Sequence, residues 1–253
     1  MSGRIVIVGL GPGGAETRTP QAEAALAAAT DLIGYGPYID RVPERPGQVR
    51  HASDNREEID RARHALAIAE AGRVVAVVSS GDAGVFAMAS AVFEAIEHGE
   101  PSWRGLDVSV VPGISAMFAA ASRLGAPLGH DFCAISLSDN LKPWETVTRR
   151  LAAAASAGFV IALYNPASRA RPWQLGAAFD LLRTILPGET PVAFATAVTT
   201  PAERITVTTL AAADPARADM RTLVMIGSPA TRMIGRADGG AWLYTPRRAD
   251  APA

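Results

Sequence analysis

The sequence predicts an α/β protein of two α/β domains with mostly parallel, partly mixed sheets. Three observations carry that expectation. Runs such as Ile5 to Val8 and Val74 to Val78 are apolar without alternation, as strands buried on both faces are. Longer Ala- and Leu-rich stretches with helical spacing separate them. The strand–helix order repeats along 253 residues that are 49% hydrophobic, enough for one large core or two medium ones.

In chain order, Arg4 to Val8 reads as a strand and Pro20 to Ala29 as a helix with proline near its start. Asp31 to Tyr35 is a second strand, followed by a polar connection through Pro43, Pro46 and Gly47. Glu57 to Ala71 is a helix stopped by Gly72, and Val74 to Ser79 is a strand. Phe86 to Glu97 is a helix and Asp107 to Val111 a strand. In the second half, a helix over Ser115 to Leu124 ends at Gly125 and Pro127. Strands follow over Cys133 to Ser136, Phe159 to Tyr164 and Pro191 to Thr196, alternating with helices over Trp144 to Ala157 and Trp173 to Ile185. Arg204 to Leu210 and Thr222 to Ile226 have no clear helix between them. They are expected to form a closing antiparallel pair, joined by the loop around Asp214 and Pro215. The domains are expected over 1–113 and 114–245, with 246–253 a frayed tail.

Charge and cysteine content narrow the function classes. Only 19% of residues are charged and the formal net charge is −1, so the basic surplus of a nucleic-acid or anionic-membrane binder is absent. Cys133 is the single cysteine, which excludes an internal disulfide and a multi-cysteine metal or iron–sulfur site; it reads as a small buried residue. The first apolar run is too short for a signal-peptide core, and the Ala-rich stretches are interrupted by charge. A cytoplasmic, membrane-free protein with no metal is the expectation. Lys142 is the only lysine, so 23 of the 24 basic residues are arginine, whose planar fork suits a polycarboxylate ligand. Coding bias accounts for most of them.

The chemistry is concentrated in small-residue clusters at strand ends. Gly9, Gly11 and Gly14 match the spacing of a dinucleotide fingerprint. Glu16 to Thr19 nevertheless separates the glycines from the helix start at Thr19-Pro20, and the second strand ends in Tyr35-Gly36-Pro37 rather than an acid. Ser79-Ser80-Gly81-Asp82-Ala83-Gly84 follows another strand. Asp82 taken alone reads as a helix cap, with hydrogen bonding to a ligand as the alternative. Val111 to Ala116 and Tyr164-Asn165-Pro166 repeat the placement. Each alone is turn chemistry, but four together suggest loops gathered along one edge of the sheets.

Read together, VGLGPGG, SGDAGVFAMA, VVPGISAMFAAASRLGAPLGHDF, YNPAS and TLVMIGS resemble the tetrapyrrole (corrin/porphyrin) methylases, the class III methyltransferases. Five motifs in family order span nearly the whole chain. Ser136 to Trp144 and YNPAS are most similar to the branch that methylates C17 of precorrin-3B in cobalamin biosynthesis. That resemblance implies two α/β domains with the cofactor in the cleft between them, a homodimer, S-adenosyl-L-methionine as methyl donor and S-adenosyl-L-homocysteine as product. It implies a small-molecule tetrapyrrole substrate, methylated at C17 with contraction of the ring to precorrin-4. Carried over by motif, the cofactor contacts are Leu10, Pro12, Gly81, Asp82, Val85, Ser115, Ala116, Leu163, Tyr164, Asn165, Thr222 and Leu223. Ser138, Asp139, Asn140 and Lys142 are assigned to the substrate. Asp139, Lys142 or one of His51, His64, His98 and His130 could serve proton movement, with Asp139 and Lys142 put first because each histidine reads chiefly as a surface or capping residue. Many relatives carry proline where this chain has Ala83. The alternatives are a sibling acting on the cobalt-loaded ring or another ring carbon, a nicotinamide-dependent oxidoreductase, an RNA or protein methylase, and a non-catalytic binding module.

Overall fold

The computed structural model describes residues 3–54, 57–168 and 171–248. The chain divides into two compact units, Met1–Ala116 and Met117–Ala253. Of the expected tail, residues 249–253 lie outside the described residues.

The first unit is a five-stranded sheet of β1 (Arg4–Gly9), β2 (Asp31–Tyr35), β3 (Val49–Ser53), β4 (Val74–Ser79) and β5 (Asp107–Val111), in the order β3-β2-β4-β1-β5. Every pairing is parallel, with Arg4 opposite Val74 and Asp107. Successive side chains of a strand point to opposite faces, and both faces here are covered. Ile5, Ile7, Ile33, Val75 and Val77 pack with Ala62, Ala65, Leu66 and Ala69 of the helix Glu58–Glu70, and with Val92 of the helix Met88–His98. Val6, Val8, Leu32, Ala76 and Val78 pack with Ala22 and Leu26 of the helix Pro20–Ala28. This double burial is why the strands read as continuous apolar runs. The polar connection expected after Tyr35 in fact holds a short helix, Gly36–Ile39, and the edge strand β3. No residue of β3 is fully buried, and its sequence VRHAS carries no strand-like apolar run.

At the amino end of β2, the buried Asp31 carboxylate accepts from Arg73 Nε at 2.8 Å and Thr30 Oγ1 at 2.7 Å, and pairs with His51 Nε2 at 2.9 Å. Burial raises its pKa, but the hydrogen bonds from Arg73, His51 and Thr30 outweigh it and hold the carboxyl below its ordinary value. A depressed folded-state pKa contributes stability above the unfolded carboxylate range, and that stability is lost as pH falls through the folded value. Because Arg73 is half-exposed, its charge adds little, and Asp31→Asn is expected to cost about 1–3 kcal/mol at neutral pH. Urea midpoints measured from pH 7 to pH 3 should fall for the parent protein and fall less for the variant.

The second unit carries β7 (Phe132–Ser136), β8 (Val160–Tyr164), β9 (Pro191–Thr196), β10 (Arg204–Thr209) and β11 (Thr222–Ile226), ordered β10-β9-β11-β8-β7. β7 and β8 are parallel, whereas β11 runs antiparallel to both β8 and β9, and β10 antiparallel to β9. The expected closing pair is therefore corrected: β10 and β11 are both antiparallel strands, but they flank β9 instead of pairing with each other. Phe179, Leu175 and Leu182 of the helix Gln174–Arg183 and Leu151 of the helix Trp144–Ser156 cover one sheet face. Met117, Ala120 and Leu124 of the helix Ala116–Leu124 cover the other. A separate three-stranded sheet joins β6 (Gly125–Ala126) to the hairpin of β12 (Arg232–Gly235) and β13 (Ala241–Tyr244), which sequence reasoning left unread. Cys133 is half-buried on β7, and burial pushes its thiol pKa up, as a structural cysteine requires.

Candidate active site

In the first unit all five strands are parallel, so their carboxyl ends share one edge. Gly9-Leu10-Gly11, Ser80-Gly81-Asp82 and Pro112-Gly113 all leave the sheet there. Gly11 and Gly81 exchange backbone hydrogen bonds at 3.0 and 2.9 Å, and Leu10 N donates to Ser79 O at 2.9 Å. Gly113 closes the third side: a Cβ on it would stand 2.2 Å from Gly81 O and 2.9 Å from Gly9 Cα. Only glycine permits that approach.

Asp82 does not cap a helix. The helix after it begins at Met88, whose N–H is taken by Ser79 Oγ at 3.2 Å. Asp82 instead accepts from Gly84 N at 2.8 Å and Gly113 N at 2.9 Å, tying two loops together. The sequence reading of a cap is corrected because residues 83–87 turn before the helix can start. A Cβ on Gly81 (φ +68°) would stand in ordinary van der Waals contact, with Ala116 N at 3.8 Å and Ile114 O and Ser115 Cα at 3.9 Å. These are bare backbones brought close together, the kind of small-residue edge at which a ligand can be held by main-chain contacts. Pro12 and Val85 are half-buried on its flanking loops, and Ser115 is buried at the start of the helix beside it. Leu10 is fully buried in the core beneath, so any contact it makes is through its backbone.

The glycine loop does not feed directly into a helix. A single 3-10 turn, Ala15–Thr17, intervenes, and the helix begins at Pro20, with Thr19 Oγ1 accepting from Ala22 N at 3.1 Å. A dinucleotide fingerprint would aim that helix end at a pyrophosphate, and this chain lacks the arrangement.

In the second unit, the carboxyl ends of β7, β8 and β9 and the amino end of β11 share an edge. Asn165 follows β8 in the left-handed region (φ +53°), and its Nδ2 donates to Ser136 Oγ at 2.9 Å. Leu137 N donates to Tyr164 O at 2.9 Å, so the loops after β7 and β8 are tied together. Tyr164 OH accepts from Met117 N at 3.1 Å. Thr222 Oγ1 lies 2.9 Å from Thr196 Oγ1 and donates to Asp219 Oδ1 at 2.8 Å. The side chains of Leu163 and Leu223 are buried in opposite faces of the core, leaving their backbones as the only groups available.

On the loop after β7, Asp139 Oδ2 accepts from Gln174 Nε2 at 3.2 Å, and Gln174 is itself buried. Lys142 is half-buried; burial and the neighbouring Arg150 lower its pKa, and Asp139 opposes them. Trp144 and Trp173 meet edge to face at 4.9 Å between ring centres beside this loop. Ser138 N donates to Ser136 Oγ at 3.3 Å, and Asn140 is exposed. No histidine stands on these loops: His51 pairs with Asp31 and His64, His98 is exposed at a helix end, and His130 precedes β7.

Three features were missed in the sequence. Arg41 bonds to the glycine loop and Ser80, and Gln174 holds Asp139. The third is the loop after β9, where Ala197 (φ +49°) and Thr199 (φ +64°) adopt left-handed conformations. With Phe86 (φ +52°) and Asn165, these make four non-glycine residues of positive φ among the described residues, every one on a loop after β4, β8 or β9. Such strain persists only where the surroundings enforce it. Of the four, only Asn165 belongs to a residue type that marks such a position in advance.

The family model of Tetrapyrrole (Corrin/Porphyrin) Methylases matches residues 4–214. A Precorrin-3B C(17)-methyltransferase of Sinorhizobium sp is 59% identical over 247 residues, covering 98% of this chain and 97% of the relative. A probable cobalt-factor III C(17)-methyltransferase of Salmonella typhimurium is 42% identical, covering 89% of this chain and 92% of that protein. The crystal structure of the methyltransferase CobJ superposes with a TM-score of 0.93 at 52% identity, covering 97% of this chain and all of that one. The nicotinamide-dependent reading finds no support. The chain belongs to the tetrapyrrole (corrin/porphyrin) methylases.

Proposed function

We propose that this chain transfers a methyl group from S-adenosyl-L-methionine to C17 of precorrin-3B, with contraction of the ring to precorrin-4, in cobalamin biosynthesis. The observation that carries this reading is the 59% identity, over nearly the full length of both chains, to the Sinorhizobium relative of that name. The bare backbones of Gly81 and Ile114–Ala116, brought together at the carboxyl edge of the first sheet, support a cofactor held by main-chain contacts. In this reading Leu10, Pro12, Gly81, Asp82, Val85, Ser115 and Ala116 bind it in the first unit, and Leu163, Tyr164, Asn165, Thr222 and Leu223 in the second. The sulfonium, when bound, supplies an already activated methyl group. The protein's task is then alignment, which can supply about 7–11 kcal/mol of a barrier.

Ser138, Asp139, Asn140 and Lys142 serve the substrate. Asp139, oriented by Gln174, and Lys142, whose ammonium sheds its proton more readily than an ordinary lysine, are assigned the proton movements of ring contraction. Asp139→Ala and Lys142→Ala are each expected to lower kcat about 100-fold or more, the usual contribution of a positioned acid or base. Unchanged turnover in steady-state assays would remove both from the mechanism. A homodimer in the cytoplasm completes the proposal; among the described residues no helix is long and apolar enough to cross a membrane. A second reading, action on the cobalt-loaded ring, is favoured by relatives named for cobalt-factor III, such as the Salmonella protein, whose 42% identity is weaker.

Thermal unfolding with added ligand tests the cofactor assignment. S-adenosylhomocysteine at a hundredfold excess over its Kd adds about 2.7 kcal/mol of stability. That corresponds to roughly 5–10 °C in Tm for a chain of this size. NAD and NADP should leave Tm unchanged. A shift with a nicotinamide nucleotide and none with S-adenosylhomocysteine would contradict the proposal.

A further inference from the structure

Arg41 lies in the connection between the short helix Gly36–Ile39 and β3, yet its guanidinium reaches the carboxyl ends of β1 and β4. Nη2 donates to Gly11 O at 2.7 Å, Gly13 O at 2.8 Å and Leu10 O at 3.3 Å, and Nη1 donates to Ser80 Oγ at 3.0 Å. Arg18 Nη2 in turn donates to Arg41 O at 3.0 Å and holds the segment in place. Burial lowers the guanidinium's pKa, but arginine remains protonated at any working pH. Among the described residues no carboxylate forms an ion pair with Arg41. Its charge is committed to the carbonyls of one loop and the hydroxyl of the next.

That pattern has a geometric consequence. A trans peptide points its N–H opposite to the preceding carbonyl. With Leu10 O turned toward Arg41, Gly11 N–H faces away from it and meets Gly81 O at 3.0 Å. The guanidinium therefore sets the peptide planes of the glycine loop and, through Ser80, the register of that loop against Gly81. Lysine could not replace it. An ammonium is a point donor without the planar fork that spans two loops.

We propose that Arg41 is a positioning residue for the methyl donor: it holds the Leu10–Gly13 and Ser80–Asp82 loops in the relative placement that binds S-adenosylmethionine. This rests on the reading that those loops bind the cofactor. Calorimetric titration with S-adenosylhomocysteine tests it on the parent protein, Arg41→Ala, Arg41→Lys and Ser80→Ala, with the apo Tm of each recorded. Arg41→Ala is expected to bind at least ~10-fold more weakly, as loss of charge-assisted hydrogen bonds implies, with Arg41→Lys recovering little of it. Ser80→Ala, which removes only the Nη1 contact, should lose ~3-fold, in line with one neutral-partner bond. Added guanidinium at millimolar concentration should restore part of the affinity of Arg41→Ala and none to Ser80→Ala. In turnover, KM for the methyl donor should rise while KM for the tetrapyrrole stays put.

A purely structural role would lower Tm and leave the affinity of the folded fraction unchanged, overturning the inference. If Arg41→Ala does not fold, Arg41→Lys and Ser80→Ala decide it: affinities within twofold of the parent overturn it. Failure of the parent protein itself to bind S-adenosylhomocysteine would sink the underlying cofactor reading instead.

Discussion

Gly113→Ala is expected to unfold much of the first unit and abolish S-adenosylhomocysteine binding. The added Cβ would stand 2.2 Å from Gly81 O, 2.8 Å from Gly9 C and 2.9 Å from Gly9 Cα. All three are backbone atoms of adjoining loops or strands, so no side chain can rotate to make room. Overpacking that side chains can absorb costs about 1–3 kcal/mol, and here the loss should be about 3 kcal/mol or more. Gly81→Ala makes the contrast. Its Cβ meets nothing closer than 3.8 Å, so the cost is confined to the strain of a left-handed alanine, about 1–2 kcal/mol. It does add a methyl to the backbone edge assigned to the ligand. Gly81→Ala should therefore stay folded and bind S-adenosylhomocysteine at least ~10-fold more weakly, a difference of about 1.4 kcal/mol. Urea denaturation and calorimetry separate the two effects. An unaltered midpoint in Gly113→Ala would mean that the three loops do not meet as described.

The second large effect is expected at Asp82. Its carboxylate accepts from Gly84 N and Gly113 N, which makes it a clamp between the loops after β4 and β5. Hydrogen bonds to a charged group contribute about 1.5–3 kcal/mol each when dry, and less at this half-buried site. Asp82→Ala should weaken S-adenosylhomocysteine binding ~30- to 100-fold, equivalent to about 2–3 kcal/mol. Asp82→Asn should recover little, because one of its two acceptors becomes a donor facing another N–H. If Asp82 instead capped the following helix, the same variants would lower Tm and spare affinity. The start of that helix at Met88, beside Ser79 Oγ, argues for the clamp.

How much of this was legible in the sequence follows from where the information resides. The core strands were readable because burial on both faces leaves a continuous apolar run, as in Val74–Ser79. The glycine loops were readable because a Cβ there would stand 2.2–2.9 Å from neighbouring backbone and admits no other residue, which makes Gly9 and Gly113 visible as letters. β3 and the β12–β13 hairpin were not. β3 and β12 hold no buried residue, so burial imposes no apolar pattern on them, and Met233 and Ile234 stay exposed. The order of β9, β10 and β11 depends on pairing between distant segments, to which local pattern is blind. Asp82 misled because an acid ahead of a helix has the same spelling whether it caps that helix or bonds to a glycine thirty-one residues away. Arg41 and Gln174 left no signal at all. Their roles arise from single long-range contacts, over thirty positions to Gly11 and thirty-five to Asp139, made by residue types common everywhere.

The most direct test of the proposed reaction is to supply methyl-labelled S-adenosylmethionine with metal-free precorrin-3B and locate the label by carbon-13 NMR. The account predicts one labelled methyl group per product, attached at C17 of a contracted macrocycle. A label on a different ring carbon, or transfer only to the cobalt-loaded ring, would contradict it.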